Sequence, residues 1–297
     1  MLSLHTARQR RDTQGKPRIG LAIAGGGPIG SMYELGALRA LDEAIEGLDL
    51  NRMDCYVGVS SGAFLAAGLA NRMRTEEICR IFITGDSYDA VFRPSDFMRP
   101  AVAEYMRRAA ALPRITRKWL GDMQHTPWGT GWSNFIMRFG GLVPTGLFDN
   151  AQVERFLRDV LTRRGRTNDF RKLDVPLYVI AVDLDNGEAV RFGSEQWRDV
   201  PISKAVQASA ALPGLYPPVQ IRGRSFVDGA LRRTMHASVV LDQDIDLLIG
   251  VNPLVPFNAQ GEDEGLEAGA GHSGRLARGG LPAVLSQTFR TLLQSRM

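Results

Sequence analysis

Tyr56-Val57-Gly58-Val59-Ser60-Ser61-Gly62-Ala63-Phe64-Leu65-Ala66-Ala67-Gly68-Leu69-Ala70 is the stretch on which the rest of the chain turns. An apolar run enters a tight turn at Ser60, and a segment of small residues leaves it. That order predicts strand, sharp bend, helix. Gly58-x-Ser60-x-Gly62 suits such a bend for a steric reason: a nucleophile projects from it only if small flanking residues let helix and strand approach closely. The helix N-terminus that follows favours negative charge developing near Ser60. Ser61 is the rival serine, but the frame makes it the x position.

The same design precedes this unit. Ile19 to Ala24 is a short apolar run ending in glycines and predicts a buried strand. From Ser31 to Ile45, Met32, Leu35, Leu38, Leu41 and Ile45 recur at three- and four-residue steps, the spacing of one helix face. Between them lies Gly25-Gly26-Gly27-Pro28-Ile29-Gly30, which has two readings. It satisfies GxGxxG between a strand and a helix, a dinucleotide site that expects an acidic ribose ligand about 20 residues on. Glu46 and Asp49 stand near that distance, but no clean second strand ends at either. The other reading is an oxyanion loop whose N–H groups stabilise a tetrahedral intermediate, one such donor being worth on the order of 10²–10³ in rate. Pro28 has no N–H, so Gly26, Gly27 and Ile29 are the donors that reading requires.

Downstream, Phe92 to Phe148 breaks the strand–helix alternation. It carries Trp119, Trp128 and Trp132 with the basic cluster Arg107, Arg108, Arg114, Arg117 and Lys118. It reads as an insertion over the core, its aromatic and basic residues suited either to a membrane surface or to ordinary packing. Ala151 to Leu161 predicts a helix with Asn150 as N-cap. Leu177 to Val182 is a further buried strand with Ala189 to Phe192 beside it, and Ile202 to Ala211 a helix that Pro213 stops. Phe226 and Val227 lead into a turn at Asp228-Gly229-Ala230, and Leu247 to Val251 is a last strand. Residues 1–18 form a leader, 19–257 one domain with its insertion at about 92–148, 258–280 a Gly-, Ala- and Glu-rich flexible loop, and 281–297 the start of a further helix.

Composition narrows the function class. A chain of 297 residues with 44% hydrophobic and 23% charged residues builds one sizeable core. No run approaches the ~20 apolar residues that span a bilayer. The N-terminus lacks an apolar signal region. Two cysteines, Cys55 and Cys79, make neither a disulfide framework nor a zinc site, and fit a reducing cytoplasm. The net charge is +4, with 32 arginines and four lysines, and no nucleic-acid motif accompanies it, so no nucleic-acid partner is expected.

A serine hydrolase needs a base. His5 lies in the leader, His272 in the flexible loop and His125 in the insertion, which leaves His236 as the histidine rival for a triad. Asp228 stands at a tight turn after a short strand, and must be close to the serine hydroxyl and partly desolvated to act. A non-catalytic lipid- or nucleotide-binding protein is the reading from a different class.

Gly25 to Gly30, Gly58-x-Ser60-x-Gly62 and Asp228-Gly229-Ala230, in this order, resemble the patatin-like phospholipase family, as does Ala205 to Pro213 ahead of the aspartate. The resemblance runs from about Ile19 to Val251. It implies a three-layer α/β/α sandwich with a mostly parallel central sheet and a helical insertion over the site. It implies a Ser-Asp dyad, with Ser60 as nucleophile and Asp228 as base, Gly25, Gly26, Gly27 and Gly30 in the oxyanion loop, and Gly58, Gly62 and Gly229 as motif glycines. The implied substrates are fatty-acyl esters of phospholipids or related lipids, cleaved without metal or cofactor; the cysteine usage adds the expectation of a cytoplasmic protein, and the insertion's aromatic and basic residues that of a peripheral place at the membrane surface. One departure is plain: many members carry Arg or Lys where this chain has Ile29, preceded by Pro28.

Overall fold

The computed structural model describes residues 16–85, 95, 99–102, 105–106, 110, 113, 117 and 146–254. Residues 1–15 of the leader, most of the expected insertion, the 258–280 loop and the 281–297 helix lie outside the described residues, as do His5, His125, His272 and the three tryptophans of the insertion.

Strand β1 (Ile19–Ile23) and β2 (Cys55–Val59) are short, apolar and almost wholly buried. Burial on both faces is what a parallel strand covered by helices on each side demands. Between them, α1 (Gly27–Ala44) buries Gly30, Glu34, Leu35 and Leu38. It begins four residues earlier than its apolar spacing predicts, because Pro28 sits in its first turn, where proline's missing N–H costs nothing and its φ is already helical. The glycine stretch is therefore only in part a loop: Gly27 to Gly30 is helix.

After β2, α2 (Ser61–Ala70) is buried at every residue but Phe64. Its alanines and glycines let it lie close against β2, β1 and α1. α3 (Thr75–Cys79) follows and runs into a π-helical turn at Arg80–Thr84. α4 (Ala151–Leu161) turns Val153, Leu157, Val160 and Leu161 inward. Asn150 does not cap it through its side chain. Asp149 Oδ1 accepts from the Ala151 amide at 2.9 Å instead, while the Asn150 amide group is occupied with Gln207 and the Pro217 carbonyl.

β3 (Leu177–Asp183) and β4 (Ala189–Phe192) pair antiparallel, and α5 (Ile202–Ser209) packs on β3 and α4. β5 (Val219–Ile221) and β6 (Arg224–Asp228) form a hairpin. Its two linking residues, Arg222 and Gly223, both have positive φ, the geometry of the two-residue turn that matches strand twist. α6 (Ala237–Leu241) and β7 (Leu247–Val251) complete the described chain.

β7, β1, β2 and β3 lie side by side and run parallel. Alternate side chains enter two cores. Leu21, Ile23 and Tyr56 face the larger one, with α1, α2, α4 and α5, whereas Ala22, Cys55, Val57 and Val59 face a smaller one closed by Val239 and Val240 of α6. Helices thus cover both faces of a largely parallel sheet, the three-layer architecture expected. Among the described residues no helix is long and apolar enough to cross a membrane.

The register of β3 decides where the loops converge. β4 occupies one edge of β3 from Val179 to Val182. β2 takes the other edge as far as Val59 opposite Ile180, and β6 takes it from Asp228 opposite Ala181. The C-terminal ends of β2 and β6 therefore meet head to head beside Ile180 and Ala181. Ser60 and Asp228 stand at those ends.

Candidate active site

Ser60 is the residue between β2 and α2, with φ 51° and ψ −119°. A non-glycine residue at positive φ costs about 1–3 kcal/mol and persists only when its surroundings enforce it. Three contacts do so. The Ser60 amide donates to Ser209 Oγ at 2.8 Å, Ser209 donates to the Ile180 carbonyl at 2.5 Å, and the Ser60 carbonyl accepts from the Ala63 amide at 3.0 Å. The flanking glycines are required by space. A Cβ on Gly58 would lie 2.5 Å from Ala63 Cα, and one on Gly62 would lie 2.3 Å from the Ala24 carbonyl oxygen.

Asp228 closes β6 and is 3% exposed. Its Oδ1 accepts from the Ala230 amide at 2.8 Å. Burial lifts its pKa from 3.8 to about 6, against the downward pull of the nearby Ser60 hydroxyl and of the Ala230 amide. At neutral pH the group is a carboxylate far more basic than an exposed aspartate. The Asp228-Gly229 turn packs tightly: a Cβ on Gly229 would lie 2.4 Å from the Ile180 carbonyl oxygen.

His236 is also buried, and its Nε2 has no hydrogen-bond partner among the described residues. Burial first, then the neighbouring arginines Arg233, Arg191 and Arg232, lowers its pKa to about 4. It is a neutral ring braced under the Asp228 turn.

The glycine stretch divides its duties. Gly25 approaches Ser60 closely, where a Cβ would lie 3.1 Å from Ser60 Cβ, and its amide donates to the Thr234 carbonyl at 2.9 Å. The Gly26 amide donates to Ser61 Oγ at 2.8 Å, and the Gly30 amide to the Gly26 carbonyl at 3.0 Å. Gly26 and Gly30 leave room for Pro253. The Gly27 and Ile29 amides belong to the first turn of α1, where no intrahelical acceptor exists. Gly26, expected among the oxyanion donors, has its N–H committed inside the protein.

Sequence reasoning missed Ser209, Ser61 and Glu34. Ser209 lay within the Ala205–Pro213 segment but carried no marker of its own. Ser61 was discounted as the x position, yet its Oγ joins Gly26 to Glu34 Oε1, 3.3 Å away. Glu34 had a legible signal: it stands four residues from Gly30 and four from Leu38, on the face the helix buries.

Residues 21–241 match the family described as Patatin-like phospholipase. An uncharacterized protein of Acanthamoeba polyphaga mimivirus is 24% identical over 233 residues, which cover 78% of this chain and 64% of that protein. Among solved structures, VipD from Legionella pneumophila is 17% identical with a TM-score of 0.37, over 72% of this chain and 46% of that one. ExoU of the type III secretion system of Pseudomonas aeruginosa, in complex with SpcU, is 16% identical with a TM-score of 0.34, over 65% and 38%. The chain thus spans less than two thirds of the curated relative's length and less than half of these two structures.

Proposed function

The chain belongs to the patatin-like phospholipase family, and we propose that it is a serine acyl hydrolase cleaving fatty-acyl esters of phospholipids or related lipids through Ser60 and Asp228. The observation that carries this reading is the meeting of the β2 and β6 ends, which sets Ser60 beside the buried Asp228 carboxyl, whose pKa the Ser60 hydroxyl lowers.

Asp228 accepts the Ser60 proton as Oγ attacks the ester carbonyl carbon. The carbonyl π pair moves to oxygen, and the Gly27 and Ile29 amides, with the N-terminus of α2, receive that charge. The tetrahedral intermediate collapses, the C–O bond to the alcohol breaks, and Asp228 returns the proton to the leaving oxygen. Water then gives its proton to Asp228 and attacks the acyl-enzyme. Collapse of this second intermediate releases the fatty acid and restores the Ser60 hydroxyl. A base near pH 6 suits this shuttle, because it is ionised at neutral pH yet closer in basicity to the groups it serves than an ordinary aspartate.

A lipid substrate is supported by the surface beside the site. Ile29, Met32 and Tyr33 follow one another on the exposed side of α1 at 84%, 57% and 52% exposure. An apolar stripe of this kind, touching the turn that receives the oxyanion, suits a protein that works peripherally at a lipid surface. No resident metal or cofactor enters the proposed cycle.

The test is hydrolysis of phospholipid vesicles and of a soluble fatty-acyl ester by wild type, Ser60→Ala and Asp228→Asn, with a fluorophosphonate probe for Ser60. Wild-type turnover with loss of about 10³-fold or more in both variants is expected. Equal activity in all three would sink the reading.

A further inference from the structure

Glu34 is fully buried on α1. Its Oε1 accepts from Ser61 Oγ at 3.3 Å, and Ser61 Oγ in turn accepts from the Gly26 amide at 2.8 Å. Its Oε2 is buried and has no partner among the described residues. A carboxylate so placed would be costly, since desolvation of an unpaired charge far exceeds what one hydroxyl bond returns.

Among the described residues, the elements packed around it place no cation at the carboxyl. α2, β1 and β7 contain no charged residue, and the 252–254 segment adds only Asn252, Pro253 and Leu254. On α3, Glu76 pairs with Arg39 and Glu77 with Arg166. Further along α1, Arg39 also pairs with Glu43, and Asp42 accepts from Thr75. Burial raises the Glu34 pKa from 4.5 to about 8, and the Ser61 hydroxyl only partly opposes it. The side chain is a neutral acid at pH 7.

We propose that Glu34 is a positioning residue: its uncharged carboxyl holds Ser61 Oγ as the acceptor of the Gly26 amide, and so fixes the turn from which α1 and its first-turn Gly27 and Ile29 amides start. The inference deepens the acyl-hydrolase reading and rests on it. Glu34 does not touch Ser60; it acts through Ser61 and Gly26. Its protonation matters because the same turn must receive a negative oxyanion. A carboxylate buried beneath that turn repels the developing charge, and neither Pro28 nor Ile29 carries a compensating cation. Loss of the Glu34 proton therefore switches the site off from below, while loss of the Asp228 proton switches it on.

The experiment measures kcat and KM for a soluble fatty-acyl ester from pH 5 to 10 in wild type, Glu34→Gln and Glu34→Ala, with circular dichroism to confirm folding. Wild-type kcat should fall above about pH 8. Glu34→Gln keeps the acceptor for Ser61 but has no proton to lose; it should stay within about threefold of wild type at pH 7 and lose the alkaline limb. Glu34→Ala should lower kcat about tenfold or more, with KM within about twofold, as expected when a catalytic turn shifts. If Glu34→Ala does not fold, the Gln variant and a 13C titration of the Glu34 carboxyl carry the test. An alkaline limb that survives in Glu34→Gln, or a carboxyl titrating near its ordinary value, overturns this inference alone. A wild type that hydrolyses no ester overturns the acyl-hydrolase reading and this inference with it.

Discussion

The Ser60 amide donates to Ser209 Oγ at 2.8 Å, and Ser209 passes the tie to the Ile180 carbonyl at 2.5 Å. One hydroxyl from the end of α5 thus joins the strained serine of one strand end to the carbonyl of its neighbour. Ser209→Ala leaves a buried N–H without an acceptor, which costs about 1–3 kcal/mol. Thermal unfolding should show that loss. The kcat should fall by about tenfold, since φ at Ser60 is no longer held. Unchanged kcat in a folded variant would remove Ser209 from the site.

Glycines at the turn and on the helix should respond in opposite ways. Gly62→Ala drives a Cβ into the Ala24 carbonyl, and Gly229→Ala into that of Ile180. Backbone must move in each case, so both should destabilise by about 1–3 kcal/mol or more and cost activity as well. Gly36, exposed on α1 with open space around its Cβ position, predicts the reverse. Gly36→Ala should stabilise the fold by about 0.5–1 kcal/mol with activity unchanged. Chemical denaturation compares the three.

Asp228 must be ionised to act, so activity should rise with pH through about 6. Because the Ser60 hydroxyl holds the Asp228 pKa down, Ser60→Ala should move that carboxyl's midpoint upward. A 13C titration of Asp228 in both proteins reads the shift; a downward movement would contradict that influence.

Stability should follow pH in two directions. Asp228 and Glu34 have folded pKa values raised to about 6 and about 8, so their contribution is complete below about 4 and is lost as pH rises through those values. His236 has a folded value lowered from 6.5 to about 4, so its contribution is present above 6.5 and is lost as pH falls towards 4. Between pH 6.5 and 8 the downward slope belongs to Glu34. Melting temperature should fall over that window in wild type and stay flat in Glu34→Gln.

His236 separates a dyad from a triad. Its ring is buried and its pKa lowered to about 4, so a folded His236→Ala should keep activity within about tenfold, whereas Asp228→Asn should lose about 10³-fold or more. Matching losses in the two folded variants would restore a histidine base.

The order of the motifs, the buried strands and the helix after Ser60 were legible in the sequence because they are local. Apolar runs of five or so residues define β1, β2 and β7 without reference to anything distant, and the Gly58 to Gly62 spacing announces a sharp bend wherever it folds. Local spacing was less reliable at the glycine stretch, where Pro28 started α1 early and converted Gly27 to Gly30 of the expected loop into helix. Asn150 likewise has the chemistry of a cap, but Gln207 and Pro217 claimed its side chain.

Only the tertiary structure decided who meets whom. Ser60 and Asp228 come together because β4 covers one edge of β3 and leaves the other to β2 and β6, whose ends then face each other at Ile180 and Ala181. Local periodicity does not encode the order in which strands add to a sheet. The pKa values of Asp228, Glu34 and His236 follow from that same assembly, since desolvation depends on every element packed around a group. The sequence by itself determined the order of the motifs and the local elements that carry them; long-range pairing and burial decided their partners and their charge.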